Sequence, residues 1–101
     1  MTIRKYEQQK RTISGVIIGS KTIDSIEIYS ICDRAFEQIN NRSYSASFIR
    51  NVYETVMPKK GNTPDKNVYE HKGIRVVINN QEGFIITVIR LSKNTRRLKQ
   101  T

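Results

Sequence analysis

The 101-residue sequence has no tryptophan, one cysteine and one histidine. A single cysteine, Cys32, excludes an internal disulfide framework and every multi-cysteine zinc site, and it fits a reducing compartment. With His71 the only histidine and nine acids scattered along the chain, a metal site would need carboxylates almost alone, so neither metal nor cofactor is expected. No apolar run approaches the ~18 residues of a membrane-spanning helix. Residues 1–10 are too polar for a signal peptide. Aromatic residues are 8% of the chain, too few for a platform on which successive bases of a single strand would stack.

What the chain does have is positive charge. Eighteen Lys and Arg face nine Asp and Glu, a net +9. A field of that sign attracts polyanions and speeds their encounter, so a polyanionic partner is expected. The excess lies mainly in the second half, and Arg90, Lys93, Arg96, Arg97 and Lys99 close the chain with no acid among them. At this length one domain is expected over 1–101, with a polar arm at 1–11, an exposed basic loop at 58–67 and a basic tail at 94–101.

Periodicity supplies the elements. Residues 12–19 are β-branched and bounded by glycine, which predicts a short strand. A helix is predicted from Asp24-Ser25 to Asn40-Asn41, because Ile28, Cys32, Ala35, Phe36 and Ile39 recur at helical spacing; Cys32 then reads as a packed thiol. Ser45 is a cap for a second helix with the stripe Phe48, Ile49, Val52, Tyr53 and Val56, stopped by Pro58. Two strands follow, over 68–79 and 84–91. If Ile78 pairs with Phe84, Val76 meets Ile86, Ile74 meets Val88, and one face is wholly apolar. The fold class expected is α+β, two helices packed against a small twisted antiparallel sheet.

On the opposite face that register places His71, Gly73, Arg75 and Val77 against Leu91, Ile89, Thr87 and Ile85, with Arg75 directly across from Thr87. Cleavage of RNA by protein groups alone needs a base for the 2′-hydroxyl, an acid for the leaving 5′-oxygen and a fixed cation at the phosphate. His71 would titrate, Arg75 would clamp the phosphate and Thr87 would supply a hydroxyl donor. Each also has a bland reading: His71 as a surface histidine at a strand start, Thr87 as a β-former. Arg75 is harder to dismiss, because a charge within an apolar strand should have a partner or a ligand. Arg34, Gln38 and Arg42, spaced by four, form a polar stripe on the predicted first helix, whose bland reading is a solvated face. Lys59, Lys60 and Lys66 read as phosphate contacts or as merely solubilising, and Lys72 and Lys93 are further candidates for binding the substrate.

Gly15-Val16-Ile17-Ile18, the stretch from Arg34-Ala35 through Arg42 to Ser45, and the segments Tyr69 to Asn79 and Glu82 to Ile89 together resemble a known pattern. They are similar to the barnase/EndoU/colicin/RelE-like ribonuclease superfamily, in particular to toxin domains of contact-dependent inhibition and other polymorphic toxin systems. The likeness spans residues 12–93. That family opens its first helix with a His-Ala pair, followed by arginines four and eight residues on. Here Arg34 stands at the histidine position and Gln38 at the first arginine, while Arg42 and Ile86-Thr87-Val88 match. The departure leaves two readings, a base moved to His71 on the sheet or a loss of activity.

The resemblance implies a metal-independent endoribonuclease toxin, delivered as part of a larger effector and acting in the cytoplasm of a target bacterium. It implies tRNA as the substrate, a 2′,3′-cyclic phosphate product, and neutralisation by an acidic cognate immunity protein, the domain being otherwise monomeric. The expected catalytic set is His71, Arg75, Thr87 and Arg42, with Arg34, Gln38, Lys59, Lys60, Lys72 and Lys93 binding substrate. The alternatives are a basic RNA-binding module without chemistry, and a phage or ribosome-associated interaction protein.

Overall fold

Ile13 and Ile17 are four residues apart and both are buried, with Val16 packed beside them, so the β-branched run of residues 12–19 puts its apolar groups on one helical face. This segment is the end of a helix, α1 (Thr2–Ile17), in a computed structural model that describes residues 2–91, with side chains from Lys10 onward. The expected strand at 12–19 is therefore corrected, and so is the polar arm at 1–11, most of which lies in α1. Strand propensity lost to tertiary packing. Two features close the helix: Gly19 takes the left-handed conformation (φ 91°), and the Arg50 guanidinium donates to the Val16 carbonyl at 3.0 Å.

Residues 19–29 are a non-helical loop that turns at 23–24 and folds back so that Lys21 bridges Glu27. Gly19 N donates to Ile28 O and Ile28 N to Ser20 O, while the Thr22 hydroxyl accepts from Ile26 N at 2.9 Å. A short strand β1 (Ser30–Ile31) follows, and helix α2 runs Asp33–Asn41 with Cys32 as its N-cap residue. The start expected at Asp24-Ser25 thus moves to Asp33, while the end at Asn41 agrees. Ile28 fits the helical spacing but reaches the core from extended chain. Helix α3 (Ala46–Thr55) is capped by the Ser45 hydroxyl, which accepts from Phe48 N at 3.1 Å, and buries Ile49, Val52 and Tyr53 as its pattern predicts.

The chain then makes β2 (Lys59–Lys60), β3 (Lys66–His71), β4 (Ile74–Asn79) and β5 (Phe84–Arg90). Among the described residues the fold is α+β, three helices and a five-stranded sheet of order β1-β5-β4-β3-β2. All neighbours are antiparallel except β1 and β5, which are parallel, so the sheet is mixed. The strand expected over 68–79 is two strands, divided by a two-residue turn in which Lys72 (φ 51°) and Gly73 (φ 80°) both have positive φ, the pattern of a type I′ hairpin. The loop at 58–67 is shorter than expected, because its two ends pair as β2 and β3. The tail at 94–101 lies outside the described residues.

The register of β4 with β5 also differs from expectation. Asn79 pairs with Phe84 and Ile78 with Ile85; a bulge then leaves Ile86 unpaired, and Val77 meets Thr87, Val76 meets Val88 and Arg75 meets Ile89. Ile85, expected on the open face, is fully buried, and Ile86, expected in the core, is on the open face. Arg75 and Thr87 share the open face but are diagonal rather than opposed. The turn sets this offset. The Asn79 carboxamide oxygen accepts from Gln81 N and Glu82 N, and Gly83 (φ 66°) sits where a Cβ would come 2.2 Å from the Glu27 carbonyl.

One core joins Ile13 and Ile17 of α1, Phe36 and Ile39 of α2, the α3 stripe and the sheet face of Tyr69, Ile74, Val76, Ile78, Ile85 and Val88. Its polar rim is satisfied. Asp24 accepts from the Tyr69 hydroxyl at 2.7 Å, from Thr22 at 2.6 Å and from Asn67 at 3.1 Å, which pins the 20–27 loop to β3. Burial first, opposed in part by bonding to Asn67, pushes the Tyr69 phenol up to about 12.

Candidate functional site

All three helices pack on one face of the sheet, so the other face is open. Its pleat brings up Val68 and Glu70 from β3, Arg75 and Val77 from β4, and Thr87 and Ile89 from β5. With the β2 edge and the turn after it they line a concavity of about 420 Å³, which also takes in Lys59, Lys60, Gly61, Asn62, Lys66 and Ile86. Four of these side chains are cationic and one is a carboxylate, over a floor of Val68, Val77, Ile86 and Ile89 with the polar Asn62 and Thr87. A polyanion meets three excess positive charges there.

Glu70 is the centre of this arrangement. It lies directly across from Arg75 in the β3–β4 pairing, and both Nε and Nη2 of Arg75 reach its Oε2 at 2.6 Å. Its other oxygen, Oε1, accepts from Lys59 Nζ at 3.2 Å. Partial burial pulls the Glu70 carboxyl upward, but bonding to Arg75 and then Lys59 outweighs it and holds the group below the usual Glu range. Glu70 is therefore ionised at neutral pH. Lys60 and Lys66 line the same concavity and make no ion pair with a described residue.

Thr87 is positioned from outside the concavity. Its hydroxyl donates to Gln38 Oε1 at 2.7 Å, and the same oxygen accepts from Val88 N at 2.9 Å. Cys32 adds a thiol bond to the Ile86 carbonyl at 2.7 Å, so α2 fastens the edge of β5 where β1 has ended. The Thr87 proton is thereby committed to Gln38, and the oxygen is left to the open face as an acceptor.

Of the residues expected from sequence, Arg75, Thr87, Lys59, Lys60 and Lys66 come together in the concavity, and Gln38 joins them through Thr87. His71 does not. It alternates with Glu70 and shares the face of Tyr69, paired with buried Ile74. Lys72 is exposed in the β3–β4 turn, while Arg34 and Arg42 are exposed at the two ends of α2; none of the three lines the concavity. Lys93 lies outside the described residues. The residue missed was Glu70. Reading Lys72-Gly73 as a two-residue turn would have found it, because that turn places Glu70 opposite Arg75 and His71 on the reverse face.

The comparisons return no matching family model, no matching curated protein and no matching solved structure. Among the described residues, no three His, Cys, Asp or Glu side chains gather where they could hold a metal ion, and no helix is long and apolar enough to cross a membrane.

Proposed function

We propose that the chain binds RNA along the open face of its sheet and cleaves it by transesterification with protein groups alone, Glu70 acting as the base. The observation that carries this reading is an ionised carboxylate beside Arg75 and Lys59 in a concavity whose remaining charges, Lys60 and Lys66, are cationic. The cations draw in the phosphodiester, and Arg75 offers a planar set of donors suited to its oxygens. Glu70 takes the 2′-hydroxyl proton, the 2′-oxygen bonds to phosphorus, and the bond from phosphorus to the 5′-oxygen breaks. The leaving oxygen receives a proton from the Lys59 or Lys60 ammonium, and a 2′,3′-cyclic phosphate remains. His71 has no part in this scheme, since it faces the other side of the sheet.

A toxin role, with tRNA as target and an acidic immunity protein as antidote, extends the same proposal; the exposed cations fit an acidic partner. The competing reading is an RNA-binding module without chemistry. It is favoured by the double ion pairing of Glu70, since a carboxylate held by two cations is a weak base. Incubating the purified chain with total bacterial RNA in EDTA separates the two. Discrete fragments ending in cyclic phosphate, absent with Arg75→Ala and Glu70→Gln, support the nuclease. Intact RNA that is nonetheless bound supports the module.

A further inference from the structure

Glu70 sits between Arg75 and Lys59, two of the four cations that line the concavity. A carboxylate presents two anionic oxygens on one carbon and a phosphodiester presents two on one phosphorus, so both can satisfy the same pair of cations. Those cations are now taken by Glu70, one on each oxygen. Their grips differ. Arg75 holds through two nitrogens at 2.6 Å, with its side chain 29% exposed, whereas Lys59 holds through one at 3.2 Å and is 71% exposed.

Resting on the RNA-binding reading above, we propose that Glu70 is a built-in competitor for the phosphodiester, and that RNA enters the concavity by taking Lys59 away from it. Arg75 stays, because its contact is shorter, doubly made and less exposed. Lys60 and Lys66 are the cations an incoming strand meets first, since no described carboxylate engages them. The exchange has a chemical consequence. Once Lys59 turns to the phosphate, Glu70 loses one of the cations that hold it and becomes a stronger base, so it gains strength when the substrate is seated. The same residue then weakens binding and promotes cleavage, two effects that a purely structural ion pair would not combine.

Titration with a short, fluorescently labelled RNA carrying 2′-O-methyl riboses, which cannot be cleaved by this route, measures the competition without the chemistry. Glu70→Gln should bind roughly threefold to fivefold tighter than the wild type, the scale of a partly exposed ion pair, while losing all cleavage of ordinary RNA. Lys59→Gln should bind more weakly, and the gain from Glu70→Gln should shrink in its background. Glu70→Asp, which keeps the charge but draws it back from Lys59, is measured alongside in case the amide variant fails to fold, with a smaller gain expected. If the wild type binds and neither Glu70 variant binds more tightly, the competition is refuted and RNA binding stands. If neither wild type nor variants bind, both readings fall.

Discussion

The two faces of the sheet are built from the same strands and obey different rules. On the helix side, Ile74, Val76, Ile78, Ile85 and Val88 are no more than 3% exposed, and the polar groups at the rim, such as Asp24 and Tyr69, are bonded to one another. On the open side, the same strands carry Glu70, Arg75 and Thr87, with Lys59 and Lys60 at the edge, all in reach of solvent. A shared pleat alternates the two sets, broken only at the Ile86 bulge, so an apolar core and a charged concavity lie one strand thickness apart. The lesson is a division of labour: the covered face carries the core, and the open face leaves its charges in reach of solvent, where the proposed RNA binding and cleavage would take place.

That division breaks if substitutions on the two faces have similar consequences. The largest loss of stability should come from Phe36→Ala, which empties a side chain 1% exposed beneath the sheet and should cost about 3–5 kcal/mol in denaturant unfolding. Gly83→Ala should follow at roughly 1–3 kcal/mol, since the new Cβ meets the Glu27 carbonyl in a left-handed backbone position. On the open face, Arg75→Ala should shift stability by no more than about 1 kcal/mol, yet abolish RNA cleavage on a gel. An Arg75→Ala protein that unfolds like Phe36→Ala would erase the distinction.

Titration sharpens the contrast further. On the covered side, the Tyr53 and Tyr69 phenols are raised by burial to about 12 from 10.0. A raised acid binds its proton more tightly in the folded state, so this contribution is complete below pH 10 and lost as pH climbs from there to about 12. Alkaline denaturation should show it, and Tyr53→Phe should flatten it. On the open side the sign is opposite. Glu70 is held below its ordinary 4.5, so its contribution is complete above that value and fades as pH falls through the lower folded one. Glu70→Gln should remove this smallest of the effects from an acid unfolding curve, leaving the alkaline limb unchanged.

Much of this organisation was legible in the residues. The Ser45 cap and the stripe of α3, the end of α2 at Asn41, and the apolar face of Ile74, Val76 and Ile78 all follow from local spacing. Arg75 and Thr87 were expected on one open face, which they share, although diagonal rather than opposed. Three misreadings share one cause. Residues 12–19 satisfy both strand and helix templates, because Ile13, Val16 and Ile17 are β-branched and also sit at helical spacing. The Ile28 to Ile39 stripe continues a helical period through a segment that backbone bonds to Gly19 and Ser20 hold extended. The Ile85-Ile86-Thr87 run has no apolar alternation to reveal the bulge at Ile86. Each was settled by what the segment packs against.

By itself the sequence determined the α+β class, a single core and a net charge of +9, because composition and side-chain period act locally and need no partner. Only the tertiary structure decided which carboxylate meets Arg75. A two-residue turn at Lys72-Gly73 sends Glu70 to the open face and His71 to the covered one, and the β5 bulge delivers Thr87 beside them and into the reach of Gln38. A strand's side-chain period is two, so one residue of slip in a turn or a bulge reverses every side chain beyond it, and that choice is made by the whole core at once.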